Sequence, residues 1–558
     1  MDIKSALSNL KIDFKSIQDE NLRGCIILLF NAVEQLSKEN GELRKENQQL
    51  RDEINHLKGE QGKPSIRPQK KNNDISSESE RKNDNDDDND DQDRPKRTKP
   101  KKEDIKIDRV ERCDFNKDEL PPDAKFKGYE DVVVQGIKII TDNIKFERAI
   151  YYSPSQGKTF LAPLPKGYEG QFSPEVKALV MDLYQDGGMT EPAIERFLKT
   201  HGVYISSGKI SNIITDDVAP FHQEKKDIVD AGLLATDYQH LDDTGSRVNG
   251  RNHHTHILCN PFFTAFTTLP TRDRLAVIEV LSNDNLKFCI NETTYSLMQK
   301  LGLSDKRLAQ LKSLQLEPVL MTREEIDTHI KVLFPREHRH LTAQKIIREA
   351  AAIVAYHQYN SGRIPILLTD GALQFQLITE YHALCWIHEG RHYKKLNPVI
   401  PMHRESLESF KKSFWDFYRQ LLAYKKEPNE EKAKFLSDTF DLLFSQKTNY
   451  QDLDERIAST LVKKEKLLLV LRFPRVPLHN NPAEHGARTQ ARKRDISLQT
   501  KNAKGTKSKD SLMTITETAK KLLVNTYKYF CDRLSGKYEM PSLASLIQQR
   551  SAMPVPAA

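Results

Sequence analysis

Residues 478–494 read LHNNPAEHGARTQARKR. Asn481 is a residue that caps helices, Pro482 suits the first helical position, and Glu484 falls three residues after the cap, so a helix is expected to start here. Beyond Glu484 only basic and neutral residues follow as far as Arg494, and Glu484, Arg488 and Arg492, four apart, share one helix face. Two readings are open. One is a capping box with a basic helix behind it. The other is an acid at the edge of a cationic surface, where a metal ion and a nucleic-acid phosphate meet. The second needs partner carboxylates elsewhere in the chain.

Two candidates stand upstream. IPILLTDG (364–371) is a short, unbroken apolar run closed by Asp370 and Gly371, the pattern of a strand buried on both faces whose last residue emerges at the carboxyl edge of a sheet. LLATDYQHLDDTG (233–245), HTHILCN (254–260) and FFTAFTTL (262–269) read as three antiparallel strands, the first ending in acids. Asp242 is preferred over its rivals Asp237 and Asp243. Thr244, two residues on, shares its strand face and offers a hydroxyl to orient the carboxylate. HALCWIH (382–388) reads as a further strand. Strands, helix, buried strand, strand and acid-bearing helix follow in the order of an α/β, ribonuclease H-like catalytic core with helical insertions at about 285–361 and 396–477. Asp242, Asp370 and Glu484 are 128 and 114 residues apart. Three carboxylates suit Mg²⁺ or Mn²⁺, hard ions that favour oxygen ligands. Two such ions serve in-line displacement at phosphorus.

The flanking segments extend the same theme. Leu22, Leu29, Leu36, Leu43, Leu50 and Leu57 recur every seven residues, with Ile26, Val33, Asn40, Asn47 and Ile54 on the other seam. Residues 1–60 therefore read as a leucine-zipper coiled coil that pairs two copies in parallel. The charged blocks of residues 61–105, Asp84–Asp93 and then RPKRTKPKK, are expected to be a disordered linker. Residues 106–168 read as a small β module. Residues 169–228 hold three short capped helices matching a helix-turn-helix, whose last helix offers Lys209, Ser211 and Asn212 to DNA. The core is placed at 229–505, and a C-terminal helix and tail at 506–558.

Composition sets limits. The net charge of +7 does not by itself show nucleic-acid binding. No apolar run approaches membrane-spanning length, so no membrane partner is expected. Six scattered cysteines without a CxxC argue for a reducing cytoplasm and against a cysteine zinc site. No GxxxxGK[ST] loop points to nucleotide hydrolysis.

LDDTGSRV, ILLTDG and NNPAEHGARTQARKRDISLQT resemble the three acid blocks, and ALCWIHEGRHY the block just after the second, of the insertion-sequence 66 family of DDE transposases. The resemblance covers most of 170–530 and the leucine-rich N-terminus. It implies a bacterial, cytoplasmic, nucleoid-associated enzyme that cleaves and transfers DNA strands. Its implied partners are element ends and target DNA, a second copy of the chain, and helper proteins encoded by the same element. It also implies two Mg²⁺ or Mn²⁺ ions on Asp242, Asp370 and Glu484, with Arg488, Arg492 and Arg494 gripping DNA backbone. Thr244 and His388 are placed at the site mouth, and Cys385 in the sheet core. The family's Cys-rich zinc module is not matched, because residues 106–168 contain only Cys113, and His485 stands where an Arg usually follows the Glu. The alternative from another class is a catalytically silent DNA-binding regulator or decayed copy.

Overall fold

The computed structural model describes residues 17, 19–57, 106–113, 125–336, 339–359 and 364–552. The expected linker at 61–105 falls outside the described residues, as does the expected frayed tail, Ala552–Ala558, except for Ala552, which ends a helix.

A five-stranded mixed sheet organises the centre. β3 (Tyr238–Val248), β4 (Arg251–Asn260) and β5 (Phe263–Leu269) run antiparallel; β6 (Ile366–Thr369) and β7 (Tyr381–Leu384) are parallel to β3. The spatial order is β5-β4-β3-β6-β7. A mixed sheet of this order, flanked by helices, is consistent with a ribonuclease H-like core. Residues of β6 are all buried, which is why the run of Ile366, Leu367 and Leu368 is uninterrupted. Asn249 and Gly250 turn β3 into β4 with φ of 47° and 73°. Positive φ at both residues matches the twist of the flanking strands, and Asn-Gly meets that demand at little steric cost.

Four sequence expectations shift here. The first strand begins at Tyr238, because Leu233 and Leu234 still belong to the helix Ala219–Leu234. HALCWIH is strand only as far as Leu384; Cys385 is the cap of a helix, Trp386–Lys394. Among the described residues the β module amounts to one hairpin, β1 (Ile150–Ser153) with β2 (Lys158–Leu161), and residues 125–149 carry no strand. The C-terminal region holds not one helix but three, Ala503–Lys521, Thr526–Leu534 and Leu543–Ala552.

The edge of the sheet is closed by the first of those three. Asp510, Thr514 and Thr518 stand four apart on one helical face, and their oxygens accept the amides of Thr268 (2.6 Å), Phe266 (3.0 Å) and Thr264 (3.3 Å) of β5. Otherwise those amides would be an open template for another strand.

In chain order the helices are α1 (Glu20–Leu57), α2 (Pro174–Gln185), α3 (Glu191–Thr200), α4 (Ser207–Thr215), α5 (Ala219–Leu234), α6 (Arg274–Leu281), α7 (Glu292–Lys300), α8 (Asp305–Lys312), α9 (Arg323–Leu333), α10 (Leu341–Tyr359), α11 (Trp386–Lys394), α12 (Pro401–Lys426), α13 (Glu430–Phe444), α14 (Gln451–Leu461), α15 (Lys464–Leu467), α16 (Leu469–Arg472), α17 (Asn481–Ser497), α18 (Ala503–Lys521), α19 (Thr526–Leu534) and α20 (Leu543–Ala552). Thr190 caps α3 and Ser206 caps α4, and Ile194, Leu198, Ile210, Ile213 and Ile214 are buried between them and α2. A Thr322–Glu325 capping box opens α9. Helices α12 to α16 enclose Trp386, whose ring meets Phe414, Phe417, Phe440 and Phe444 at centroid distances of 5.5 to 6.5 Å.

Helix α1 lies against this second insertion. The Glu34 carboxylate accepts the amides of Val399 and Ile400, both at 2.8 Å, while Asn31 donates to the Asn449 carbonyl. Its heptad leucines face away: Leu22, Leu29, Leu36, Leu43 and Leu50 are 51% to 64% exposed. Among the described residues, no helix is long and apolar enough to cross a membrane.

Candidate active site at the sheet edge

The three acids arrive on three different elements. Asp242 lies within β3, Asp370 follows directly on the last residue of β6, and Glu484 sits in the first turn of α17. β3 and β6 are hydrogen-bonded neighbours, so their two acids share one region of the sheet edge.

Asn480 ties these elements together. It is the cap residue of α17, yet its side chain makes no capping bond. Instead the buried amide donates to the carbonyl of Leu241, next to Asp242, at 3.0 Å, and its oxygen pairs with Nδ1 of His240 at 3.0 Å. Its backbone N–H donates to Sγ of Cys385 (3.2 Å), whose own amide donates to the carbonyl of Thr369, next to Asp370. One residue thus fixes the approach of all three acid-bearing segments. The capping-box reading of Asn481 fails here: the helix starts one residue earlier, and Glu484 turns outward to the site, not back to the cap. Gly486 permits the close approach of α17 to the sheet, since a Cβ there would stand 2.6 Å from Cγ2 of Ile257.

Electrostatics join the acids. Burial first, then repulsion from Asp370 and Glu484, pushes the Asp242 carboxyl up to about 7 against the pull of the Asp243 amide. That amide, at 2.8 Å, supplies the bond that Asp242 was expected to receive from Thr244. Thr244 is half-buried and pairs with Thr255 across the ladder. Asp243 instead accepts from Gln374 at 3.3 Å. Asp370 is exposed, and its Oδ1 accepts the amide of Ala372 at 3.0 Å across a turn at Gly371, φ 94°.

Glu484 is held differently. Nη2 of Arg391 donates to Oε2 at 3.1 Å, Nη2 of Arg488 approaches the same oxygen at 3.7 Å, and Nδ1 of His388 lies 3.6 Å from Oε1. Buried Oε1 has no hydrogen-bond partner. Burial lowers the pKa of His388, with Glu484 opposing. Cys385 is fully buried, and burial pushes its thiol up to about 12.

The remaining sequence candidates scatter. Arg492 is exposed on the face of Arg488. Arg494 donates to the Gly245 carbonyl of β3 at 2.6 Å, so it clamps protein backbone. Lys493, next to both, is buried over the Tyr184 ring, and burial lowers it to about 7. On α4, Asn212 is exposed and Lys209 half-buried, while Ser211 hydrogen-bonds the Glu191 carboxylate. Asn480, His240, Gly486 and Arg391 were missed from sequence. Arg391, three residues after His388 on a helix, carried a readable signal; Asn480 did not, since a buried Asn pin looks like any loop Asn.

Among the described residues, no group of three or more His, Cys, Asp or Glu is gathered ready to hold a metal ion. The donor set nevertheless suits a hard cation: mutually repelling carboxylates, one with a buried oxygen that nothing satisfies.

Residues 343–508 match the Transposase IS66 family, a stretch that includes Asp370 and Glu484 and stops short of Asp242. The uncharacterized protein y4jO of Sinorhizobium fredii is 29% identical over 331 residues, covering 58% of this chain and 99% of its own length. Part of the chain is therefore similar to DDE transposases.

Proposed function

We propose that this chain is a DDE transposase that cleaves and joins DNA strands at the ends of a mobile element, with Asp242, Asp370 and Glu484 holding two Mg²⁺ or Mn²⁺ ions. The observation that carries this reading is geometric: β3 and β6 are parallel neighbours whose register sets Asp242 beside Asp370, and Asn480, four residues before Glu484, bonds the Leu241 carbonyl and the Cys385 that holds Thr369. The family match around the second and third acids supports it. Such ions would activate the attacking oxygen and stabilise the leaving one.

The protein's own part is placement. Asn480 aligns the acid-bearing segments, and repulsion leaves Asp242 disposed to accept a cation. Arg488 and Arg492 line one helical face beside Glu484, where they would hold backbone phosphate and add affinity without sequence choice. Arg494 serves β3. The three helices α2 to α4 would act as a helix-turn-helix, with Lys209 and Asn212 towards DNA. The outward leucine seam of α1 would pair with a second copy to form a homodimer, leaving element-encoded helper proteins a place around it. An enzyme acting on element-end and target DNA would reside at the bacterial nucleoid. Asp370→Asn should keep end binding and lose strand transfer in Mg²⁺ by about a thousandfold or more; wild-type cleavage by this variant would sink the assignment. Leu29→Lys with Leu36→Lys should halve the mass seen by light scattering, and an unchanged mass would remove the zipper.

A second reading, a DNA-binding regulator that does not cut, draws on Glu484 being ion-paired with Arg391 instead of free. Mg²⁺-dependent nicking of a labelled element end separates the two.

A further inference from the structure

Around Glu484 stand two arginines, Arg391 and Arg488, and the imidazole of His388. Arg391 reaches it with one arm, Nη2, at 3.1 Å, and with the other, Nη1, donates to Nε2 of His388 at 3.0 Å. Arginine has no acceptor, so Nε2 of His388 must be unprotonated. Nδ1 then carries the ring proton and faces Oε1 across 3.6 Å. Both residues stand on α11, three apart, and α11 is rigidly set. Its Trp386 sits in the aromatic core, and its Glu389 is bound by Arg456, Thr460 and Lys463.

A guanidinium and a divalent cation seek the same carboxylate lone pairs, and Oε2 cannot serve both at full strength. We propose that Arg391, braced by His388, is a clasp that holds Glu484 as an ion pair until a divalent cation takes the carboxylate from it. Arg391 is thus a competitor of the metal and a positioning residue for its ligand. This inference rests on Glu484 being a metal ligand, as proposed above. It makes a prediction of unusual sign: removing a well-packed residue beside the site tightens metal binding.

The test is Mn²⁺ titration of the full-length chain without DNA, read by calorimetry or by the spin-resonance signal of free Mn²⁺. R391Q should bind Mn²⁺ about tenfold more tightly than the parent, the scale of one charge-assisted hydrogen bond removed from competition. R391K keeps the charge but loses the two-armed grip, and should tighten binding about twofold to threefold. Equal or weaker binding by R391Q, with thermal melting unchanged, overturns the clasp. Should R391Q fail to fold, R391K decides alone, and no tightening there overturns it equally. D370N separates the two levels of the claim. Parent binding that D370N removes, with no gain in R391Q, defeats only the clasp, whereas a parent that takes up no Mn²⁺ sensitive to D370N defeats the functional reading along with it.

Discussion

Two buried carboxylates lie close together in this protein and are treated in opposite ways. Glu389, on α11, accepts from Thr460 at 2.6 Å and Lys463 at 2.9 Å and is bound by Arg456, so both oxygens are occupied. Glu484, on α17, has one oxygen bonded to Arg391 and the other buried with no hydrogen-bond partner. Burial works against ionisation of Glu389, yet its bonds to Lys463 and Thr460 and its attraction to Arg456 outweigh it and hold its pKa below the usual value. A saturated buried acid fixes a helix in place, and an unsaturated one leaves bonding capacity for something that arrives later. The contrast separates scaffold from site more sharply than burial does, since burial is similar for both.

The comparison can be broken by exchange. Glu389→Gln should lower stability by about 3–5 kcal/mol, because two cations, Arg456 and Lys463, would lose their buried partner. Thermal or urea unfolding measures this, and a loss under about 1 kcal/mol would show that Glu389 is dispensable scaffold. The effect should shrink in acid. A carboxyl whose folded pKa is depressed contributes stability above its unfolded pKa, and that contribution is lost as the pH falls through the folded value.

Asp242 sharpens the contrast with the reverse sign. Its folded pKa is raised from 3.8 to about 7, so it destabilises the fold at neutral pH, and this penalty disappears as the pH drops towards the unfolded value. Asp242→Asn should therefore gain on the order of 1–2 kcal/mol over the parent at pH 8, after screening of a part-exposed carboxyl, and little at pH 4. Melting curves at the two pH values check it, and an equal difference at both would remove the electrostatic link among the acids.

The acid at the end of β6 was legible because a strand buried on both faces must be apolar throughout, and the first polar residue marks where it leaves the sheet. Leu233 and Leu234 misled, since an apolar pair ending a helix looks the same as one opening a strand. HALCWIH misled for a related reason. Cys385, Trp386 and Ile387 are as apolar as strand residues, yet Cys385 caps a helix whose first residue, Trp386, packs into an aromatic cage. Asn481 looked like a cap because Asn before Pro usually is one. Asn480 is the actual boundary, and its side chain goes to His240 and Leu241, residues some 240 positions away.

By itself, the sequence determined the acids available, the heptad seam, the buried strand and the basic helix, because each follows from local spacing and side-chain chemistry. Which cation meets which acid was decided only in three dimensions. Arg494, Lys493 and Arg391 are equivalent in charge along the chain, yet one clamps a strand carbonyl, one is buried over a tyrosine ring, and one grips the third acid. Such pairings depend on distance and desolvation between segments far apart in sequence, and local pattern carries no record of either.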